Sequence, residues 1–334
     1  MLAYVYPLSR NNHLAQHRQS LRDIATKLNP PARLLALNWS LDLPPAIVHR
    51  ICGDRVQQRG ENHQSLRADE AKSHEDVIWM FIEKTEPISE NEVDDVIDMD
   101  IEEGIEENLA RAVEGIVRVL GIERPSEEKV KEALTTARTY AYTPAEKERE
   151  KGKKTKKEPK PRYFGLLPEI DLEAVVGSKV AELEATHPAR IFWQELVKNG
   201  RVASRPHITL VHSKSLPAEQ PLWDRSMSLH CSTSPPTFNF QLSHLLCNDR
   251  VMAIAIADLE AVVEEDADDT SGVDFVGKMG DDVKQRLHIT VGTAGRDVNP
   301  FEARGMVAEW RNGKETTAVP LGGRSQGRVK GLMS

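Results

Sequence analysis

Two segments far apart in the chain carry nearly the same residues: Arg205-Pro206-His207-Ile208-Thr209-Leu210-Val211 and Arg286-Leu287-His288-Ile289-Thr290-Val291. Each holds His-x-Thr inside an apolar, β-branched run. Side chains alternate faces along a strand, so His and Thr share one face while Ile208 and Leu210, or Leu287, Ile289 and Val291, take the other. Two such strands side by side would bring two imidazoles and two hydroxyls to one small anion. Imidazole titrates near neutrality, so one ring can act as base and the other as acid. Hydroxyls can donate to the non-bridging oxygens of a phosphate. That set is what a metal-free phosphodiester hydrolase needs. With 11 histidines in the chain, one His-x-Thr would be ordinary; two, each following an arginine by two residues, point to function.

Other residues near these motifs have two readings each. Tyr163 and Phe164 either pack in a core or offer a ring to a nucleobase. Lys214 and Arg286 are either RNA phosphate contacts or surface charge. His212 falls out of phase with His207 and Thr209, so it points to the opposite face or sits where the strand's alternation lapses; a structural role is expected. The remaining histidines show no ligand spacing with carboxylates or cysteines, so no metal site is expected.

The elements that must position these groups divide the chain. Residues 146–161 are charged, almost free of apolar side chains and close on prolines, which predicts a solvated linker or a basic arm. Gly152-Lys153-Lys154-Thr155 lacks the upstream glycine and strand of a P-loop. Ahead of the linker the pattern is α/β: short strands at 2–6 and 33–39, helices at 13–28 and 44–58, an acidic break at 90–103, and a helix carrying Ile105, Leu109, Val113, Ile116, Val117 and Leu120 at helical spacing. Ser126 before Glu127 and Glu128 suits the start of another helix. Beyond the linker, strands are expected at 163–167, 205–213, 238–242, 251–257 and 286–293. Helices are expected after Asp171 and at 190–198, the latter stopped by Asn199-Gly200. The mixture predicts an α+β fold over 162–334, and the 81-residue separation of His207 and His288 suits one motif in each half of a two-lobed domain. The whole reads as a first domain over 1–143, a linker over 144–161 and a second domain over 162–334.

At 334 residues the chain has room for two ordinary domains. A net charge of −8 gives no overall basic signature, although a local patch suffices to bind one RNA end. The three cysteines show no pairing pattern, which suits a reducing compartment, nucleus or cytoplasm. No signal peptide and no membrane span are expected, and a monomer is expected.

These motifs resemble the 2H phosphoesterase superfamily, which implies a two-lobed α+β domain with antiparallel sheets. More narrowly, Tyr163-Phe164-Gly165, the two His-x-Thr runs and the closing Gly327-Arg328-Val329-Lys330-Gly331-Leu332 are similar to the C-terminal cyclic phosphodiesterase domain of fungal tRNA ligase. The resemblance implies hydrolysis of an RNA 2′,3′-cyclic phosphate to a 3′-hydroxyl and a 2′-phosphate without a cofactor. It implies His207 and His288 as the acid–base pair, Thr209 and Thr290 as phosphate ligands, and the ends of tRNA exon halves as partners.

The first part is similar to the polynucleotide kinase domain of that family at Arg10-Asn11-Asn12-His13-Leu14, Leu37-Asn38-Trp39 and residues 55–66. Arg55 and Arg59 would then be remnants of a phosphate-clamping lid. Ser9 stands where the family tends to have an aspartate. No G-x-x-x-x-G-K-[ST] is present, so ATP or GTP with Mg²⁺ is expected as cofactor only where a P-loop precedes this segment. Two alternatives of other classes stand beside the hydrolase: a non-catalytic RNA-end-binding module, and a residual 5′-hydroxyl kinase.

Overall fold

The computed structural model describes residues 12–39, 42–62, 74–141, 161–232, 234–263 and 270–332. The expected strand at 2–6, Ser9, and all but the end of the expected linker lie outside them. The chain divides into two compact units, Met1–Glu158 and Pro159–Ser334.

In the first unit, α1 (Ala15–Lys27) leads to β1 (Leu35–Trp39), and α2 (Pro45–Arg59) and α3 (His74–Lys84) follow. The acidic segment does not break the pattern as expected. It contains β2 (Asp95–Met99), which pairs in parallel with β1, Leu35 opposite Asp95 through Trp39 opposite Met99. Ile97 and Met99 are buried while Asp98 faces out and accepts from Asn38 Nδ2 at 2.9 Å, so an ordinary alternation was hidden under charge. Arg18, 5% exposed, binds Glu92 at 2.7 Å and the Pro87 carbonyl at 2.8 Å, fixing α1 to the loop before β2.

Helix α4 (Ile105–Leu120) has the expected span and ends on Gly121, whose φ of 63° suits glycine. Its buried residues, however, are Asn108, Ala112 and Gly115 rather than the large apolar stripe. The small residues let the helix approach Ile97 closely. Ser126 caps α5 (Glu127–Thr139), accepting from Lys129 N.

The second unit is α+β with every strand pair antiparallel. Its strands are β3 (Tyr163–Pro168), β4 (Ile208–His212), β5 (Thr237–Cys247), β6 (Val251–Ala261), β7 (His288–Thr293), β8 (Thr317–Pro320) and β9 (Arg324–Leu332). They run in the order β6-β7-β4-β3-β9-β5, and β5 pairs back to β6, so six strands close into a barrel with β8 added along β5. Closure leaves few free edges.

The helices are α6 (Leu172–Ala181, capped by Asp171), α7 (Pro188–Lys198), α8 (Gln220–His230), α9 (Ser271–Gly277), α10 (Asp281–Gln285) and α11 (Glu302–Arg311). The main core joins strand residues such as Phe164, Ile208, Phe238, Ile254 and Ile289 to Val176, Trp193, Leu222 and Phe275 from the helices. A smaller cluster packs Ala303, Met306 and Val307 of α11 on Val251, Ala253 and Ala255 of β6.

The closing Gly- and Arg-rich residues become β9, a full member of the barrel between β3 and β5. Glycine is needed there: a Cβ on Gly331 would lie 2.7 Å from Pro161 Cγ.

Candidate active site

Strands β4 and β7 are neighbours, with Ile208 opposite Ile289. Antiparallel register then sets His207 opposite Thr290 and Thr209 opposite His288, all four on the face away from the two isoleucines. That alternation is physical: Ile208, Leu210, Leu287, Ile289 and Val291 are all at most 2% exposed in the main core. Diagonal neighbours across such a pair stand about 7–8 Å apart, room for a phosphate between the two rings.

Both histidines are held by the same local device. His207 Nδ1 lies 3.0 Å from the Arg205 carbonyl and His288 Nδ1 lies 2.7 Å from the Arg286 carbonyl. A carbonyl only accepts, so Nδ1 donates in each and Nε2 is left to face the site. The Thr209 and Thr290 hydroxyls are half-buried, and no described protein group hydrogen-bonds either. Burial pushes His207 below its ordinary pKa, against the bond to the Arg205 carbonyl. His288 is pushed down to about 4, first by burial and then by the charges of His207, Arg304 and Arg311, with the Arg286 carbonyl opposing.

The other expected site residues are placed differently. Tyr163 is 8% exposed, its ring 5.1 Å from His207 and stacked 6.0 Å from His212 at 9°. With imidazoles beside it and little surface left, it braces His207 rather than offering a face to a base. Arg286, at 8% exposure, is neither surface charge nor a free phosphate contact: Nη2 meets Glu219 at 2.7 Å and donates to the Leu210 carbonyl at 3.2 Å. Lys214 is exposed beyond the end of β4, where its backbone N–H donates to His212 Nδ1 at 3.0 Å.

His212 itself lies on the site face. The register of β3 against β4 passes from Gly165 opposite Thr209 to Phe164 opposite Val211, leaving Leu210 as an extra residue. Such a bulge reverses the alternation beyond it.

In the first unit, Arg55 donates to the carbonyls of Ile101 at 2.7 Å and Glu103 at 3.0 Å, while Arg59 is exposed at the end of α2. Arg55 thus ties α2 to the turn before α4. No group of three or more His, Cys, Asp or Glu that could hold a metal occurs among the described residues. No described helix is long and apolar enough to cross a membrane.

Sequence reasoning missed two residues next to His288: Arg304 and Arg311 on α11, for which spacing gave no signal. Arg311 donates to the Lys284 carbonyl at 2.8 Å and to the Ile256 carbonyl.

Residues 4–105 match the tRNA ligase kinase domain. The chain is 27% identical over 330 residues to tRNA ligase 1 of Schizosaccharomyces pombe, covering 90% of this chain and 39% of that protein. It therefore spans about two fifths of that relative's length. A solved structure described as a crystal structure of fungal RNA kinase covers 97% of the chain and 80% of its own at 19% identity, but its TM-score of 0.35 is too low to support a fold assignment. Residues 106–322 match the fungal tRNA ligase phosphodiesterase domain, and this is well over half of the 334 residues. The chain belongs to that family.

Proposed function

We propose that the second unit hydrolyses the 2′,3′-cyclic phosphate at an RNA 3′ end, leaving a 3′-hydroxyl and a 2′-phosphate. The tRNA exon halves made in splicing are the proposed substrates. The observation that carries this is the matched pair of His-x-Thr motifs on adjacent antiparallel strands, each imidazole fixed through Nδ1 by the carbonyl two residues earlier. One Nε2 takes a proton from water as its oxygen attacks phosphorus. The bond from phosphorus to O3′ breaks on the opposite side, and the other imidazole, protonated at Nε2, gives its proton to O3′. Thr209 and Thr290 donate to the non-bridging oxygens and hold the charge that builds there. No step calls on a metal or cofactor. We read the paired motifs as a 2H phosphoesterase site, with one histidine from each half of the domain.

The kinase-domain match implies nucleotide and Mg²⁺ as cofactors of that family. No Walker sequence lies within these 334 residues, so use of those cofactors here is proposed only where a P-loop precedes this segment.

The test uses the full chain with a 2′,3′-cyclic-phosphate-ended RNA and EDTA. Turnover to a 2′-phosphate is expected, and His207→Ala and His288→Ala should each lower kcat by about 10²–10⁴-fold. Turnover surviving both substitutions sinks the proposal, and tight binding without product favours a non-catalytic RNA-end module.

A further inference from the structure

Tyr163 and Arg286 are both committed to the protein, so neither offers the phosphate a free cation or the base a platform. Helix α11 presents one of each. It packs on Ala253 and Ala255 of β6, and those residues stand directly opposite Thr290 and His288 of β7. The helix therefore lies on the same sheet face as the paired motifs. It is fixed at both ends: Arg250 grips Glu302 with two bonds of 2.7 and 2.8 Å, and Arg311 holds the Lys284 and Ile256 carbonyls.

Between these anchors Arg304 is half-buried, and among the described residues it makes no ion pair. Its guanidinium carbon sits 5.3 Å from the centre of the Phe301 ring, whose residue is 64% exposed. The guanidiniums of Arg304 and Arg311 both act on His288, and that of Arg286 acts on Arg304. Glu219 is already taken by Arg286 at 2.7 Å, and Asp282 lies 3.7 Å from that same arginine. Burial and Arg286 push Arg304 below its ordinary pKa, with Glu219 and Asp282 opposing, so an added anion would relieve an uncompensated cation. Arg304 covers the Phe301 ring, whose exposed surface leaves room for a stacked base.

We propose that α11 completes the RNA-end site, Arg304 binding the phosphate of the terminal nucleotide and Phe301 stacking on its base. This rests on the phosphodiesterase assignment above and adds two substrate contacts to it. A guanidinium can hold two phosphate oxygens at once, which a lysine cannot. Stacking tolerates every base, as an enzyme acting on many RNA ends requires.

The experiment compares the full chain with its Arg304→Ala, Arg304→Lys and Phe301→Ala variants on two substrates. One is adenosine 2′,3′-cyclic phosphate; the other is methyl ribofuranoside 2,3-cyclic phosphate, which has no base. Arg304→Ala should lower kcat/KM about 10²-fold on both, with Arg304→Lys recovering part of the loss. Phe301→Ala should raise KM about 10-fold on the adenosine substrate alone. A variant that merely misfolds loses both substrates together, so the base-free substrate separates stacking from stability.

Wild-type rates in Arg304→Ala, or equal losses on both substrates in Phe301→Ala, overturn the proposal. Should the wild-type chain turn over neither substrate, the phosphodiesterase assignment falls instead. Calorimetric binding of adenosine 2′-phosphate then decides: affinity weakened about 10-fold in both alanine variants supports these contacts, and unchanged affinity overturns them.

Discussion

At the scale of single residues, the two histidines carry a consequence for pH. Both lie below their ordinary values, His288 at about 4. Both are therefore neutral in the empty site at neutral pH, yet the proposed mechanism needs one of them protonated when O3′ leaves. The profile of kcat/KM follows the free enzyme, so it should peak below about pH 6.5, the ordinary value for imidazole, and fall as pH rises. A bound phosphate anion within reach of Nε2 favours the imidazolium, so kcat should persist to higher pH than kcat/KM. Steady-state rates from acid to mildly alkaline pH check this; a kcat/KM that stays flat through pH 7–8 contradicts it. The four residues were legible in the sequence because period-two alternation and repeated spacing are local properties. The depressed pKa values were not, since they come from burial and from Arg304 and Arg311 on a helix that follows in the chain.

At the scale of elements, the site depends on how β4 is bent and braced. Alternation alone left His212 on the far face or at a lapse in the strand; the extra residue at Leu210 selects the lapse. A bulge has no composition of its own in a run of β-branched and apolar residues, so the sequence could not reveal it. Gly165 shows a similar limit. A Cβ there would lie 3.2 Å from the Ile208 carbonyl and 3.2 Å from Leu332 Cδ1, so glycine admits the close approach of β4 and β9 to β3. The brace is Arg286, which links β7 to the Leu210 carbonyl and to Glu219 at the start of α8. Glu219→Ala would leave a guanidinium of 8% exposure without its close partner. Breaking a buried pair from one side costs about 3 kcal/mol, so the urea midpoint of the second unit should drop with kcat reduced alongside. An unchanged midpoint would mean that Asp282, now 3.7 Å away, takes over as partner.

At the scale of the whole molecule, the two units differ in how they were legible. The charged run at 146–161 marked a change of pattern, and the compact units divide between Glu158 and Pro159. The two family matches instead meet at residues 105 and 106, so α4 and α5 fall in the phosphodiesterase match while packing with the first unit. Barrel closure was not legible at all. It depends on β9, for which no strand was expected, and on the second pairing of β5, while Gly327 and Gly331 are what admits β9 beside β3.

Every strand of the barrel, both His-x-Thr motifs, Tyr163, Glu219, Arg286 and α11 lie within 161–332. Nothing in the proposed chemistry draws on the first unit. The polypeptide 161–332 should therefore fold by itself, with the antiparallel barrel closed and its core complete. It should hydrolyse a mononucleoside 2′,3′-cyclic phosphate with kcat and KM within about two-fold of the full chain, the scatter expected between independent parts. The two proteins would be compared on adenosine 2′,3′-cyclic phosphate at matched pH, with circular dichroism verifying the fold. A folded 161–332 that has lost most of its kcat would mean that residues of the first unit take part in the reaction.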